Sequence, residues 1–143
     1  MGQRYLLDTN ICIHLINRRP GYEALLEHIG QYSYGDLLIS AITLAELRFG
    51  VAKSNRRAEN QQCLEIFLAR FVDIDFGSEA ASVYGPLRAE LQAQGTPIGH
   101  LDMLIAAHAL SLGAVMVTHN TREFARVPGL SLEDWLDISA HQH

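Results

Sequence analysis

Short apolar runs recur along this chain, and each gives way to a longer stretch at helical spacing. Arg4-Tyr5-Leu6-Leu7 stops at Asp8, Leu37-Leu38-Ile39 stops at Ser40, and Val115-Met116-Val117 stops at Thr118. Val72 to Ile74 reads as a further short strand, and Leu130 to Leu132 as a last edge strand. Helices are predicted between them. Thr9 and Asn10 can cap one over Ile11 to Asn17. Others run from Tyr22 to about Tyr32, Thr43 to Lys53, Arg56 to Arg70, Ser78 to Gln94 and Leu101 to Leu112. Asn120 to Phe124 is a short turn or helix. Arg18-Arg19-Pro20-Gly21 is a turn, and Gly95-Thr96-Pro97 and Gly113 act as stops. Short strands alternating with helices predict an α/β fold on a mostly parallel sheet.

The chain has 143 residues, which fits one domain. At that size it can bury roughly two-thirds of its unfolded surface without disulfide staples. Apolar residues make up 48% and charged residues 19%, which excludes a disordered chain. There is no basic-then-apolar leader pattern and no run of 18 apolar residues, so neither secretion nor membrane insertion is expected. The two cysteines, Cys12 and Cys63, each sit in an apolar stretch. They form no disulfide framework and no zinc pattern, which fits a reducing cytoplasm. The folded unit is expected to span residues 1–136, with a polar tail over 137–143 that carries His141 and His143.

The net charge is −5, with ten arginines and one lysine, Lys53, among the 11 bases. Acidity alone argues against binding nucleic acid. The argument fails if several acids hold cations: two bound divalent ions would bring −5 to −1. Three acids stand where ligands would be expected. In open parallel sheets, function gathers at the carboxyl ends of the strands. Asp8 ends the first strand, Glu46 lies one turn into the helix after Ser40, and Asp102 opens the helix before Val115. Thr118, His119 and Asn120 follow that strand. Asp8 alone also reads as a helix cap, and Asp102 alone as a carboxylate favoured by a helix dipole. Glu46, between Ala45 and Leu47, is costly unless it is ligated or paired with an arginine such as Arg48. Carboxylates drawn together repel, and one protonates unless a cation holds them. Mg²⁺ or Mn²⁺ meets that need with oxygen ligands, and such a site suits phosphodiester hydrolysis.

These motifs, in order, resemble the PIN-domain ribonucleases, and among them the VapC toxins of bacterial toxin–antitoxin pairs. Leu6-Leu7-Asp8-Thr9-Asn10 matches the family's opening strand. Ser40 to Gly50 matches its second acidic motif, and Gly95 to Ala109 its third. Val117 to Phe124 matches the fourth, and Pro128-Gly129-Leu130 with Glu133-Asp134-Trp135 the usual ending. The resemblance implies a three-layer sandwich with a mostly parallel central sheet flanked by helices. It implies Asp8, Glu46 and Asp102 as metal-binding acids, with Mg²⁺ as cofactor and Mn²⁺ as substitute. Asn120 stands where many members carry a fourth acid, and its carbonyl can still accept or orient a water. Thr9 and Thr118 resemble hydroxyls that position ligands. His100 and His119 depart from the residues common in close relatives, and His119 is a candidate phosphate contact.

The resemblance also implies a homodimer, a cognate VapB-type antitoxin covering the site, and operator DNA reached only through the antitoxin. The expected substrate is RNA, with tRNA, and initiator tRNA in particular, favoured. Arg18, Arg19, Arg48, Arg56 and Arg57 are further candidate contacts to RNA or antitoxin. An open acidic pocket invites an antitoxin guanidinium, and apolar surface on the helices from Tyr22 and Arg56 is expected to seat the rest of its segment. His14 and His108 are expected as hydrogen-bonded packing residues. Two alternatives stand beside the nuclease. One is an aspartyl-phosphate phosphatase with Asp8 as nucleophile, disfavoured by Asn10 and by Lys53 being the only lysine. The other is a catalytically inactive PIN domain that only binds RNA or a partner, for which Asn120 is the sole support.

Overall fold

The computed structural model describes residues 2–136; the polar tail, with His141 and His143, lies outside the described residues. Strands β1 (Tyr5–Leu7), β2 (Leu37–Ser40), β3 (Val72–Ile74), β4 (Val115–Val117) and β5 (Leu132–Glu133) form one sheet in the order β3-β2-β1-β4-β5. Every pairing is parallel. The expected α/β class and three-layer architecture are therefore present.

Pleat alternation explains why the runs are uniformly apolar. Leu6, Leu38 and Met116 enter one core, and Leu7, Leu37, Ile39 and Val117 enter the other. A parallel strand covered on both faces needs apolar residues at odd and even positions alike. The first core is closed by α5 (Ser78–Ala93) and α6 (His100–Leu112), with Leu87, Leu91, Met103 and Ile105 packed on the sheet. The second is closed by α1 (Thr9–Ile16), α2 (Tyr22–Ile29), α3 (Ala41–Ala52) and α4 (Arg57–Leu68). A short α7 (Thr121–Phe124) anchors Phe124 in the first core.

Several boundaries shift from those expected, each for a local reason. Asp8, rather than Thr9 or Asn10, caps α1: the Ile11 N–H donates to Asp8 Oδ1 at 2.8 Å. Ser40 caps α3 through the Ile42 N–H at 3.1 Å, so that helix begins before Thr43. Helix α2 stops at Ile29, and Tyr32 beyond it stacks on Trp135 with centroids 5.2 Å apart. Gly113 ends α6 with φ +64, a left-handed conformation that a side chain would strain. Cys12 is buried, whereas Cys63 is exposed on α4. His14 hydrogen-bonds the Pro20 carbonyl at 2.7 Å, and the buried His108 bonds Ser40 Oγ at 2.8 Å through Nδ1. Both are packing residues. Among the described residues no helix is long and apolar enough to cross a membrane.

Ile105 is fully buried between α6 and the sheet, whereas Ile66 is 65% exposed on α4. Ile105→Ala should lower urea-unfolding stability by about 2–5 kcal/mol, from lost transfer energy plus the cavity. Ile66→Ala should change it by no more than about 0.5 kcal/mol.

Candidate active site

The chain runs from β1 outward to β2 and β3, then returns to place β4 on the opposite side of β1. That reversal opens a crevice between the carboxyl ends of β1 and β4, the position where open α/β sheets bind ligands. Asp8 follows β1 and Thr118 follows β4, so both stand at this switch point.

Asp8 is only 3% exposed. Burial pushes its carboxyl up to about 6 against the usual 3.8. Hydrogen bonds from the Thr118 hydroxyl and the Ile11 N–H oppose that rise, while the negative charges of Asp102 and Asp134 add to it. Asp102 lies in the first turn of α6. There the helix dipole favours a carboxylate by only about 0.3–1 kcal/mol. Burial, followed by repulsion from Glu123 and Glu46, nevertheless raises the Asp102 pKa. Gly99 packs beside this carboxyl: a Cβ there would lie 3.4 Å from Asp102 Oδ2, an ordinary van der Waals contact.

Glu46 is half-buried on α3, and Thr9 Oγ1 donates to its Oε1 at 2.9 Å. Thr9 has one proton, so the buried Thr43 hydroxyl 3.0 Å away must donate to Thr9. This relay aims the Glu46 carboxylate from beneath. The ion pair considered for Glu46 does not form, because Arg48 instead bonds Glu65 at 2.7 Å across α3 and α4. Thr118 Oγ1 accepts from the Asn120 N–H at 3.0 Å and holds the turn into α7.

The switch point thus gathers Asp8, Glu46, Asp102, Thr9, Thr118 and Asn120. It does not gather the arginines. Helix α1 has eight residues, and at 1.5 Å per residue its far end, with Arg18 and Arg19 beyond, is about 12 Å from Asp8. Arg56 and Arg57 lie past the far end of α3, and Arg56 is 3.6 Å from Glu59. His119 lies beside the site on β4's exit and bonds Asp134.

One acid escaped sequence reasoning. Glu123 on α7 accepts from Asn120 Nδ2 at 2.7 Å and from the Gly99 N–H at 3.4 Å, and its charge acts directly on Asp102. Asn120 thus holds a carboxylate in place rather than standing alone at the fourth position. The signal was present: Glu123 follows Asn120 by three residues, the spacing that puts two side chains on one helix face.

The apolar groove also differs from expectation. A groove of about 880 Å³ runs between α1, α3 and α4, with Ile13, Ile16, Phe49 and Cys63 among its walls, and it opens onto Thr9, Glu46 and Leu101. Helix α2 contributes nothing to it, because Leu25 and Ile29 are already buried in the core.

The donor set consists of carboxylate, amide and hydroxyl oxygens, which fits a hard divalent cation. Among the described residues no three Asp, Glu, His or Cys side chains close around one point.

A fold with its ligand crevice at such an acidic switch point defines a class, and comparison with known proteins agrees. The PIN domain family matches residues 5–130. The chain is 46% identical to Ribonuclease VapC2 of Rickettsia felis, over 92% of this chain and 97% of that protein. It is 43% identical to the tRNA(fMet)-specific endonuclease VapC of Shigella flexneri, over 92% and 98% respectively. The crystal structure of VapBC2 from Rickettsia felis bound to a promoter DNA fragment superposes with a TM-score of 0.84 at 45% identity, covering 93% of this chain and 99% of that one. The chain belongs to the VapC family of PIN-domain proteins. PIN-domain nucleases generally depend on a divalent metal.

A carboxyl raised by burial makes a signed prediction. The folded chain holds the Asp8 proton more tightly than the unfolded chain does. Its stabilising contribution is complete below about pH 4 and is lost as pH rises through about 6. Asp8→Asn keeps an oxygen to cap α1 and removes the buried charge. In metal-free buffer at pH 7 the variant should exceed wild type in unfolding free energy by up to about 3 kcal/mol, the equivalent of about two pKa units. The gap should shrink as pH falls toward 4.5, measured by chemical denaturation with chelator present. A less stable variant at pH 7 would refute the reading.

Proposed function

We propose that this protein is the toxin of a VapBC-type toxin–antitoxin pair, an endoribonuclease that cleaves tRNA, with initiator tRNA the favoured target. The observation that carries the reading is the buried Asp8 carboxylate, raised to about 6 beside Asp102, which is itself pressed by Glu46 and Glu123. Among the described residues no lysine, arginine or histidine ion-pairs with any of the four. A structural ion-pair network would supply such a partner, whereas a cation site would not.

Asp8, Asp102, Glu46 and Glu123 would hold the metal, with Mg²⁺ as the expected ion and Mn²⁺ able to replace it. When bound, the cation lowers the pKa of an attacking water and offsets charge on the leaving oxygen. The protein's own groups do the positioning. Thr9 fixes the Glu46 carboxylate, Thr118 fixes Asp8, and Asn120 with the Gly99 N–H fixes Glu123. With all four acids ionised and a cation held among them, the crevice would accept a phosphodiester that the bare cluster would repel.

Among solved relatives, VapC is found with its antitoxin in complexes such as VapBC2 on promoter DNA. The groove beside Thr9 and Glu46 suits an apolar VapB-type segment, whose guanidinium would meet the acids through paired hydrogen bonds. Operator DNA would be read by the antitoxin, and the toxin would act as a homodimer in the cytoplasm. The relative from Shigella flexneri, named a tRNA(fMet)-specific endonuclease, supports the substrate choice.

Asp8→Asn, Glu46→Gln, Asp102→Asn and Glu123→Gln should each lower cleavage at least ~10²-fold, because each removes part of the cation's hold. Chelation should abolish cleavage, and Mg²⁺ or Mn²⁺ should restore it, with Zn²⁺ serving poorly in an all-oxygen site. The assay is end-mapping of total RNA after a short expression pulse, followed by purified tRNA. Full activity in any one variant would remove that residue from the site. Absence of metal-dependent cleavage on any RNA would favour the inactive, binding-only alternative.

A further inference from the structure

Beside the acidic crevice stands a pair that the cation site does not use. His119 Nδ1 lies 3.0 Å from Asp134 Oδ2 and 3.3 Å from Oδ1, so one ring nitrogen faces both carboxylate oxygens. Asp134 Oδ1 also accepts from the Leu136 N–H at 2.9 Å. The Asp134 side chain is 23% exposed, whereas the His119 ring is 57% exposed. The pair is close to the chemistry. Asp134 is near enough to raise the Asp8 carboxyl, and His119 directly follows Thr118, which bonds that same carboxyl. The two residues meet because β5 pairs beside β4, setting Glu133 opposite Val117.

The chemistry of the pair fixes its polarity. A carboxylate only accepts, so the proton of a neutral imidazole must sit on Nδ1. Nε2 has no hydrogen-bond partner among the described residues, and it carries a lone pair in the neutral ring and a proton in the imidazolium. A phosphate oxygen only accepts, so it meets the ring in one of these states. A ribose 2′-hydroxyl both donates and accepts, so it meets the ring in either, and it is the group by which a protein tells RNA from DNA at a given nucleotide.

We propose that His119, oriented by Asp134, hydrogen-bonds a ribose 2′-hydroxyl beside the scissile phosphate and so selects RNA. The proposal gives His119 a ribose contact in place of the phosphate contact expected from sequence, and it rests on the ribonuclease reading. A purely structural role, in which the pair only ties the β5 segment to β4, would affect every substrate alike.

The test uses the full-length protein and labelled anticodon stem-loop hairpins, each carrying one 2′-deoxy substitution, walked through the loop. Binding is read by fluorescence anisotropy with Ca²⁺ in place of Mg²⁺, so that the acids are neutralised and the readout is binding rather than cleavage; cleavage is measured separately with Mg²⁺. For wild type, one loop position should weaken binding about tenfold when its 2′-hydroxyl is removed, the others changing little. In His119→Ala that position should bind ribose and deoxyribose equally, with the remaining positions unchanged. Asp134→Ala, which frees the ring, should reduce the same preference. A wild-type profile with no sensitive position would overturn the proposal. So would a sensitive position that survives in His119→Ala, or a uniform loss across all hairpins. Binding selectivity without cleavage by wild type would instead sink the nuclease reading and leave the His119 assignment standing.

Discussion

The desolvated Asp8 carboxylate is the constraint around which this molecule is arranged. It is held by the Ile11 N–H and the Thr118 hydroxyl, yet those bonds do not offset its burial. A helix cap alone does not require this. A cap normally sits at the surface, where water shares the charge. Here the cap is also the wall of a crevice whose other walls are carboxylates, so the position that serves α1 leaves the cluster short of positive charge.

The sheet creates that situation and also limits it. Parallel strands buried on both faces admit no polar residue until they end, so polar groups accumulate at the carboxyl edge. The order β3-β2-β1-β4-β5 puts the ends of β1 and β4 side by side. Helices α3 and α6 then bring Glu46 and Asp102 in from opposite layers. The buried His108 links those layers, because Ser40, which its ring bonds, caps α3 while His108 itself belongs to α6. Burial keeps that ring's pKa below its ordinary value, consistent with a neutral link.

Much of this was legible along the chain. Three- and four-residue apolar runs marked all the inner strands, and Asp8 and Asp102 stood out at the ends of elements. Glu46 was conspicuous because its helix was otherwise apolar. Features that depend on distant segments were not legible. No local pattern predicts that β4 lies beside β1, or that Asp134 meets His119. The wall on α4 was placed correctly, but α2 was taken for another because the two look alike as amphipathic stretches. Only packing shows that Leu25 and Ile29 are spent in the core while Phe49 is not. Arg48 was a candidate ion-pair partner for Glu46 until α4 set Glu65 against it. Glu123 was overlooked for a different reason: Asn120 occupied the position where an acid was sought, and the acid lay one helical turn further on.

The central claim is that Asp8 carries an unmet need for positive charge, and its own titration tests this most directly. Carbon-detected NMR of the Asp8 carboxyl in metal-free protein should show a midpoint near the value of about 6 set by its burial. With Mg²⁺ present, the midpoint should fall below the ordinary 3.8, since a bound cation favours the ionised form. A metal-free midpoint near 3.8 that Mg²⁺ leaves unmoved would contradict the account.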